Sequence, residues 1–169
     1  YISQNQKMRT FGTNIKYGVP FSEKNTVFFG VGAEKISINS NPSSPLLYQQ
    51  YVADFGNGTL VDKGLSHKVL SDSATATTDS FPLTIAWEND SRNSALAPTK
   101  GCYQRANFEI SPFGITSYYR ASYQHQYFKP FFNNAIILAT NSKIDYGSGI
   151  SGKPYPLFKN YYAGGIGTV

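Results

Sequence analysis

Thr10-Phe-Gly-Thr-Asn-Ile-Lys-Tyr-Gly-Val-Pro20, then Phe21-Ser-Glu-Lys-Asn25, then Thr26-Val-Phe-Phe-Gly-Val-Gly-Ala-Glu-Lys-Ile36 is the stretch on which the fold turns. Successive side chains of an extended strand point to opposite sides. In the first run Phe11, Thr13, Ile15, Tyr17 and Val19 therefore share one side, and Gly12, Asn14, Lys16 and Gly18 the other. In the second, Val27, Phe29, Val31 and Ala33 oppose Thr26, Phe28, Gly30, Gly32 and Glu34. One face is apolar, the other mostly polar or bare. With a short polar link between them, the two runs predict an antiparallel hairpin.

The same rhythm returns further along the chain. Phe81 to Asn89 sets Phe81, Leu83, Ile85 and Trp87 against Thr84, Ala86 and Glu88. Cys102 to Ile110 sets Cys102, Ala106, Phe108 and Ile110 against Tyr103, Arg105, Asn107 and Glu109. Ser117 to Lys129 sets Tyr119, Ala121, Tyr123 and Tyr127 against Tyr118, Arg120, Ser122, Gln124 and Gln126. Ala135 to Tyr146 sets Ile136, Leu138 and Ile144 against Asn141, Lys143 and Asp145. Sequential strands joined by short links pair as neighbours, which predicts an antiparallel sheet of about six strands. Phe29, Ile85, Trp87, Phe108, Tyr123, Ile136 and Leu138 are expected on one continuous apolar face.

The character of the second face separates two all-β architectures. The outer side of a soluble sandwich meets bulk water and carries many Lys and Glu. Here that side holds Gly, Ser, Gln and Asn with a few charges of both signs: Lys16, Glu34, Glu88, Arg105, Glu109, Arg120, Lys143 and Asp145. Such a mixture suits the wet lumen of a transmembrane barrel, with pairs such as Arg105 and Glu109 or Lys143 and Asp145 expected as lumenal salt bridges. Strands of this length with aromatics near their ends match an outer-membrane span and its girdles. Residues 37–79 break the alternation, and Leu46 to Phe55 predicts a short amphipathic helix within a long loop, of the kind these barrels carry on one side.

Composition excludes other classes. Phe and Tyr number 12 and 13 against one Trp and one Met, a mix that favours strands. Lys and Arg exceed Asp and Glu by 15 to 10, but the basic residues are dispersed, so nucleic acid is not an expected partner. Cys102 alone cannot form an internal disulfide, and with only His67 and His125 beside it no metal set is expected. His125 falls on the outward face between Tyr123 and Tyr127, as an interfacial residue rather than a ligand. No apolar run reaches the length of a spanning helix, so membrane insertion would use strands. Tyr1-Ile-Ser-Gln-Asn-Gln6 shows no signal-peptide pattern and no starting Met, so an upstream segment is expected to be missing.

Two motifs go further. Trp87-Glu-Asn-Asp90-Ser-Arg92-Asn-Ser-Ala-Leu-Ala-Pro98-Thr-Lys-Gly101 resembles the aromatic-x-x-Asp-x-Arg…Pro-x-x-Gly hairpin of the BamA family, the bacterial surface antigen D15 family. Asp90 and Arg92 can brace the connection, Pro98 fixes one φ, and Gly101 supplies a turn residue. Lys153-Pro-Tyr-Pro156-Leu-Phe158-Lys-Asn-Tyr161-Tyr162-Ala-Gly164-Gly165-Ile-Gly-Thr-Val169 resembles that family's lumen-entering loop, ahead of its Val-Arg-Gly-aromatic signature. The match ends at Val169, so the arginine of that signature has no counterpart here. The motifs stand in family order, and the resemblance covers roughly residues 10–169, weakly in the 37–79 loop.

The resemblance implies a partial outer-membrane barrel domain over 1–169, about six of the family's roughly sixteen strands, with a lumen loop starting near 147–169. It implies a bacterial outer-membrane location and a role in folding and inserting β-barrel proteins. Implied partners are the lipid bilayer, unfolded outer-membrane clients and accessory assembly lipoproteins; periplasmic POTRA domains would belong to the same protein. Other readings are a two-partner secretion pore of the same superfamily and a soluble β-sandwich binding module.

No cofactor and no enzymatic activity are expected. Gly147-Ser-Gly-Ile-Ser-Gly152-Lys153 has the spacing of a phosphate-binding loop, but Pro154 stands where a Ser or Thr is required, and Pro156 follows where a helix should begin. No Ser lies in a nucleophile-elbow sequence, and no carboxylate pair is marked out as acid and base.

Overall fold

The computed structural model describes residues 7–62 and 68–160. The elements are β1 (Lys7–Ser22), β2 (Asn25–Ser40), α1 (Leu46–Phe55), β3 (Leu60–Asp62), β4 (Lys68–Leu70), β5 (Ala74–Ser80), β6 (Leu83–Asp90), β7 (Gly101–Ser111), β8 (Tyr118–Phe131) and β9 (Ile136–Gly149), followed by a 3-10 turn at Leu157–Lys159. Among the described residues the sheet runs β1-β2-β6-β7-β8-β9, every neighbour antiparallel, with β5 also on β2. This is the all-β meander that the alternation predicts. β3 and β4 form a small separate hairpin.

β5 and β6 are two halves of one strand. Both pair with β2 in a single register, Glu34 opposite Ser80 and Val31 opposite Leu83. The break falls at Phe81-Pro82, where proline has no N–H for the ladder, although its carbonyl still accepts from Gly32 N at 2.9 Å. The strand expected over Phe81–Asn89 is thus the lower half of a longer one. The 37–79 excursion is correspondingly shorter: β2 continues to Ser40 and β5 returns at Ala74. α1 spans the expected residues, Leu46–Phe55, directly after Pro45, whose fixed φ suits a helix start.

Register puts Phe29, Ile85, Phe108, Ala121 and Tyr146 in one row across five strands, with Val27, Trp87, Ala106, Tyr123 and Ile144 in the next. Ile136 and Leu138 lie on the same side of β9 as Ile144. Phe29, Ile85, Trp87, Phe108 and Tyr123 thus share one apolar face as expected, but Ile136 and Leu138 stand beyond a polar row on the same side, Asn25, Asn89, Gln104, His125 and Ser142, so the face does not run unbroken to them. Most of its large side chains are exposed, from Ile85 and Phe29 to Ile144 and Tyr146. A face this apolar and uncovered is stable only against hydrocarbon or another apolar body.

The buried core lies elsewhere, on the inner side at one end of the sheet. Ile36, Ile38, Tyr51, Val52, Leu70, Ala74, Ala76 and Leu157 form it, with Tyr48, Phe55, Leu60 and Phe158 packed around them. α1 thus lies across β2 and β5 and covers the inner face at the end bearing the long excursion, here the loop end. Within it Tyr51 OH meets Thr78 Oγ1 at 2.6 Å, and burial pushes the Tyr51 phenol up to about 12, partly offset by that hydrogen bond. The phenol stays protonated at neutral pH. Among the described residues the one other sheet is the two-stranded β3–β4 hairpin, too small to be the second layer of a sandwich.

At the opposite, turn end, Phe132, Asn133 and Asn134 close the β8–β9 hairpin with φ of 50, 54 and 69°. Asn tolerates that left-handed region; Phe132 occupies it at a cost.

Candidate functional site

The connection from Trp87 to Gly101 is built around a two-residue clamp. Arg92 donates from Nε to Asp90 Oδ1 at 2.9 Å and from Nη2 to Asp90 Oδ2 at 2.7 Å, and its backbone N–H reaches Oδ1 at 3.1 Å. This fork geometry is the strong form of a carboxylate–guanidinium pair. The Arg92 guanidinium also sits 4.7 Å from the centre of the Tyr103 ring. Asn93 Oδ1 accepts from Thr99 N and Lys100 N, at 3.0 and 3.1 Å, and closes the loop. Gly101 has φ of 109°, and a Cβ there would collide with the Ser91 carbonyl. Pro98 is half-buried in this loop. Trp87 stands apart from the clamp, on the outward apolar face. Cys102 is a free thiol, 3.2 Å from Ser91 Oγ.

The inner face carries the charges, paired across strands. Arg105 meets Glu88 at 3.3 Å, and Arg120 meets Glu109 at 3.0 Å. The expected Arg105–Glu109 bridge does not form, because residues four apart on one strand are about 13 Å apart while register neighbours are about 5 Å apart. Lys143 and Asp145 do pair, at 3.1 Å. Arg105 also lies over the Phe28 ring, 5.9 Å from its centre, and Gly18 leaves room for that ring: a Cβ there would stand 2.9 Å from it.

Beyond β9 the chain folds back onto this inner face. Lys159 Nζ stands 2.7 Å from Glu34 Oε2 and 3.7 Å from Glu109 Oε1, with its side chain only 11% exposed. Tyr118 OH donates to Glu109 Oε1 at 2.8 Å, and Tyr155 stacks edge-on against Tyr118. Two carboxylates thus face two cations, the arrangement that partly buried charges require. Pro156 is buried, and Phe158 packs edge-on against Tyr51, 5.9 Å between ring centres. Lys153 of the glycine-rich stretch reaches the Ile115 and Gly114 carbonyls at 3.1 and 3.3 Å, tying the loop to the β7–β8 turn. Among the described residues only the 3-10 turn at Leu157–Lys159 follows it, not the α-helix whose N-terminus a phosphate loop presents.

Of the motif residues, Asp90, Arg92, Pro98 and Gly101 come together at the turn end, while Pro156 and Phe158 lie at the loop end. Tyr161, Tyr162, Gly164 and Gly165 lie outside the described residues, as does His67. His125 lies on the outward face, 6.5 Å from the Tyr127 ring and stacked on it. The Glu34–Lys159–Glu109 link had no signal in the sequence beyond the placing of Glu34 and Glu109 among the charges of the second face.

The profile of the Omp85 superfamily domain matches residues 2–169. The outer membrane protein assembly factor BamA of Neisseria meningitidis serogroup B is 29% identical over 168 residues, which is 96% of this chain and 19% of that protein. The chain therefore spans about one fifth of the relative's length. The crystal structure of BamA from Haemophilus ducreyi lacking POTRA domains 1–3 superposes with a TM-score of 0.79 at 21% identity, over 96% of this chain and 29% of that one.

Proposed function

Because the chain belongs to the Omp85 superfamily, a family of bacterial outer-membrane barrels, we propose that it is wall from an assembly factor that folds and inserts β-barrel proteins into that membrane. The observation that carries this reading is the 29% identity to a BamA protein across nearly the whole chain. The geometry is consistent with it. An exposed apolar outer face meets lipid, a wet inner face carries paired charges, and residues 150–160 fold back over that inner face.

In this reading the partners are the bilayer, unfolded client barrels and accessory lipoproteins, and the chain contributes wall and loop anchorage rather than catalysis. The Asp90–Arg92 clamp and Gly101 fix one hairpin of the wall. Pro156 and Phe158 seat the start of the lumen loop, and the tract containing Tyr161, Tyr162, Gly164 and Gly165 continues it.

The test is depletion of the full-length parent protein in its own cells. Heat-modifiable, folded forms of several unrelated outer-membrane barrels should fall together and recover when the parent is resupplied. Loss of a single secreted exoprotein, with folded barrels unchanged, would replace this reading with the two-partner secretion pore.

A further inference from the structure

The outward face changes character at the loop end of β1, β2 and β5. Below that level it is apolar through the rows of Phe29 and Val27. Above it Phe11 pairs with Lys35, Arg9 with Ser37 and Lys7 with Asn39, and all of these odd-numbered residues face outward. Lys7, Arg9 and Lys35 are exposed. Among the described residues none of the three is in an ion pair. The neighbouring hydroxyls are satisfied among themselves, Ser37 Oγ with Thr77 Oγ1 at 3.1 Å and Asn39 Nδ2 with Thr75 Oγ1 at 2.9 Å. Asp79, the cross-strand partner of Lys35, is the one acidic residue on the outward side of this β2–β5 ladder, and its Oδ1 accepts from Ile115 N at 3.1 Å.

Directly beneath these cations the outer surface holds a groove of about 480 Å³. Phe11, Ala33, Phe81 and Ile115 supply apolar wall, and Lys35 stands on its rim beside Asp79, whose carboxylate is engaged by Ile115 N. Small Ala33 between larger side chains makes the depression. An apolar slot capped by cations, at the edge of a lipid-facing band, is complementary to one kind of molecule: an acylated lipid whose headgroup carries phosphate. Long loops mark the extracellular side of such barrels, which places the groove in the outer leaflet.

We propose that this groove seats a phosphorylated, acylated lipid of the outer leaflet, an acyl chain lying along Phe11, Ala33 and Phe81 and a phosphate held between Arg9 and Lys35. The proposal rests on the outward face meeting lipid, not on the assembly role, and it survives if the parent proves to be a secretion pore.

The experiment is native mass spectrometry of the full-length parent in neutral detergent. It is titrated with diphosphoryl lipid A, with the same lipid stripped of its phosphates, and with inorganic phosphate. Diphosphoryl lipid A should bind, and removing its phosphates should cut occupancy about tenfold or more. Arg9→Gln with Lys35→Gln should cut it equally. Arg9→Lys with Lys35→Arg should keep it, and Lys24→Gln with Lys100→Gln, the same charge loss at the turn end, should leave it unchanged. Heat-modifiable migration establishes that each variant is a folded barrel; should the double Gln variant fail that check, the dephosphorylated lipid and the single Lys35→Gln variant decide. Equal binding of the dephosphorylated lipid, or an equal drop in the turn-end control, would overturn the proposal. Displacement of lipid A by equimolar inorganic phosphate would reduce the groove to a simple anion site and overturn it as well.

Discussion

From Thr26 to Ala33, β2 turns Val27, Phe29, Val31 and Ala33 outward and keeps Thr26, Phe28, Gly30 and Gly32 inside; from Lys35 to Ser40 it turns Lys35, Ser37 and Asn39 outward and buries Ile36, Ile38 and Ser40. The backbone alternation never slips, as the unbroken register with β1 from Lys7 to Pro20 shows. What inverts is the pair of environments. Along the lower half hydrocarbon lies outside and water inside. Along the upper half water or headgroups lie outside, and α1, Leu70 and Leu157 form a dry cap inside. A strand's apolar face is therefore not a property of the strand but of whichever side excludes water at that height.

The sharpest test of that contrast is a charge placed inside the cap. Ile38 is fully buried, so Ile38→Asp removes its packing and strands a carboxylate without a partner. We expect a loss above roughly 4 kcal/mol, or failure of the loop end to fold. Limited proteolysis of the parent barrel should then cut within 41–73 while the β6–β9 wall stays resistant. Intact protection of that stretch would mean that the cap is not a core.

A smaller effect comes from moving one lysine along the outward side. Val31→Lys places a charge in the lipid-facing band and should cost roughly 2 to 4 kcal/mol if that position lies near mid-bilayer, whereas Ser37→Lys should cost roughly 0 to 1. Urea unfolding of the parent refolded into vesicles reads the difference. Equal costs at the two positions would erase the boundary drawn at Lys35.

The same inversion explains what was legible beforehand. The hairpins, the apolar face and α1 could be read because their periodicity is strong and their solvents uniform. β5 could not: its buried positions are Ala74, Ala76, Thr78 and Ser80 and its outward ones Thr75, Thr77 and Asp79, so both faces look polar. Its burial is set by α1 folding over it, a contact between distant segments. Lys159 was hidden for a related reason, since its partners Glu34 and Glu109 lie far off in the chain and come near it only once the sheet forms. Asp90 and Arg92, two residues apart, needed no such assembly.

The Asp90–Arg92 clamp supplies a third environment, at the turn end, and the smallest expected effect. Its side chains are 34% and 16% exposed, so the pair is neither free in water nor buried like Ile38. Exposed pairs contribute about 0 to 1 kcal/mol, and loss of a buried partner costs more because it leaves a charge unpaired. Asp90→Ala removes two side-chain bonds and the acceptor for Arg92 N, and leaves Arg92 beside Tyr103 with only Glu88, itself paired to Arg105, as a nearby negative charge. Glu23→Ala, in the neighbouring β1–β2 turn, removes an exposed carboxylate that forms no ion pair among the described residues. We therefore expect Asp90→Ala to lower the parent barrel's stability by about 1 kcal/mol and Glu23→Ala by a few tenths at most. Asp90→Asn, which keeps one acceptor oxygen, should fall between them. Urea midpoints in vesicles at low and high salt separate the contributions: a cost for Asp90→Ala that vanishes at high salt would make the clamp a screened surface pair, and one that persists identifies the hydrogen bonds as its substance.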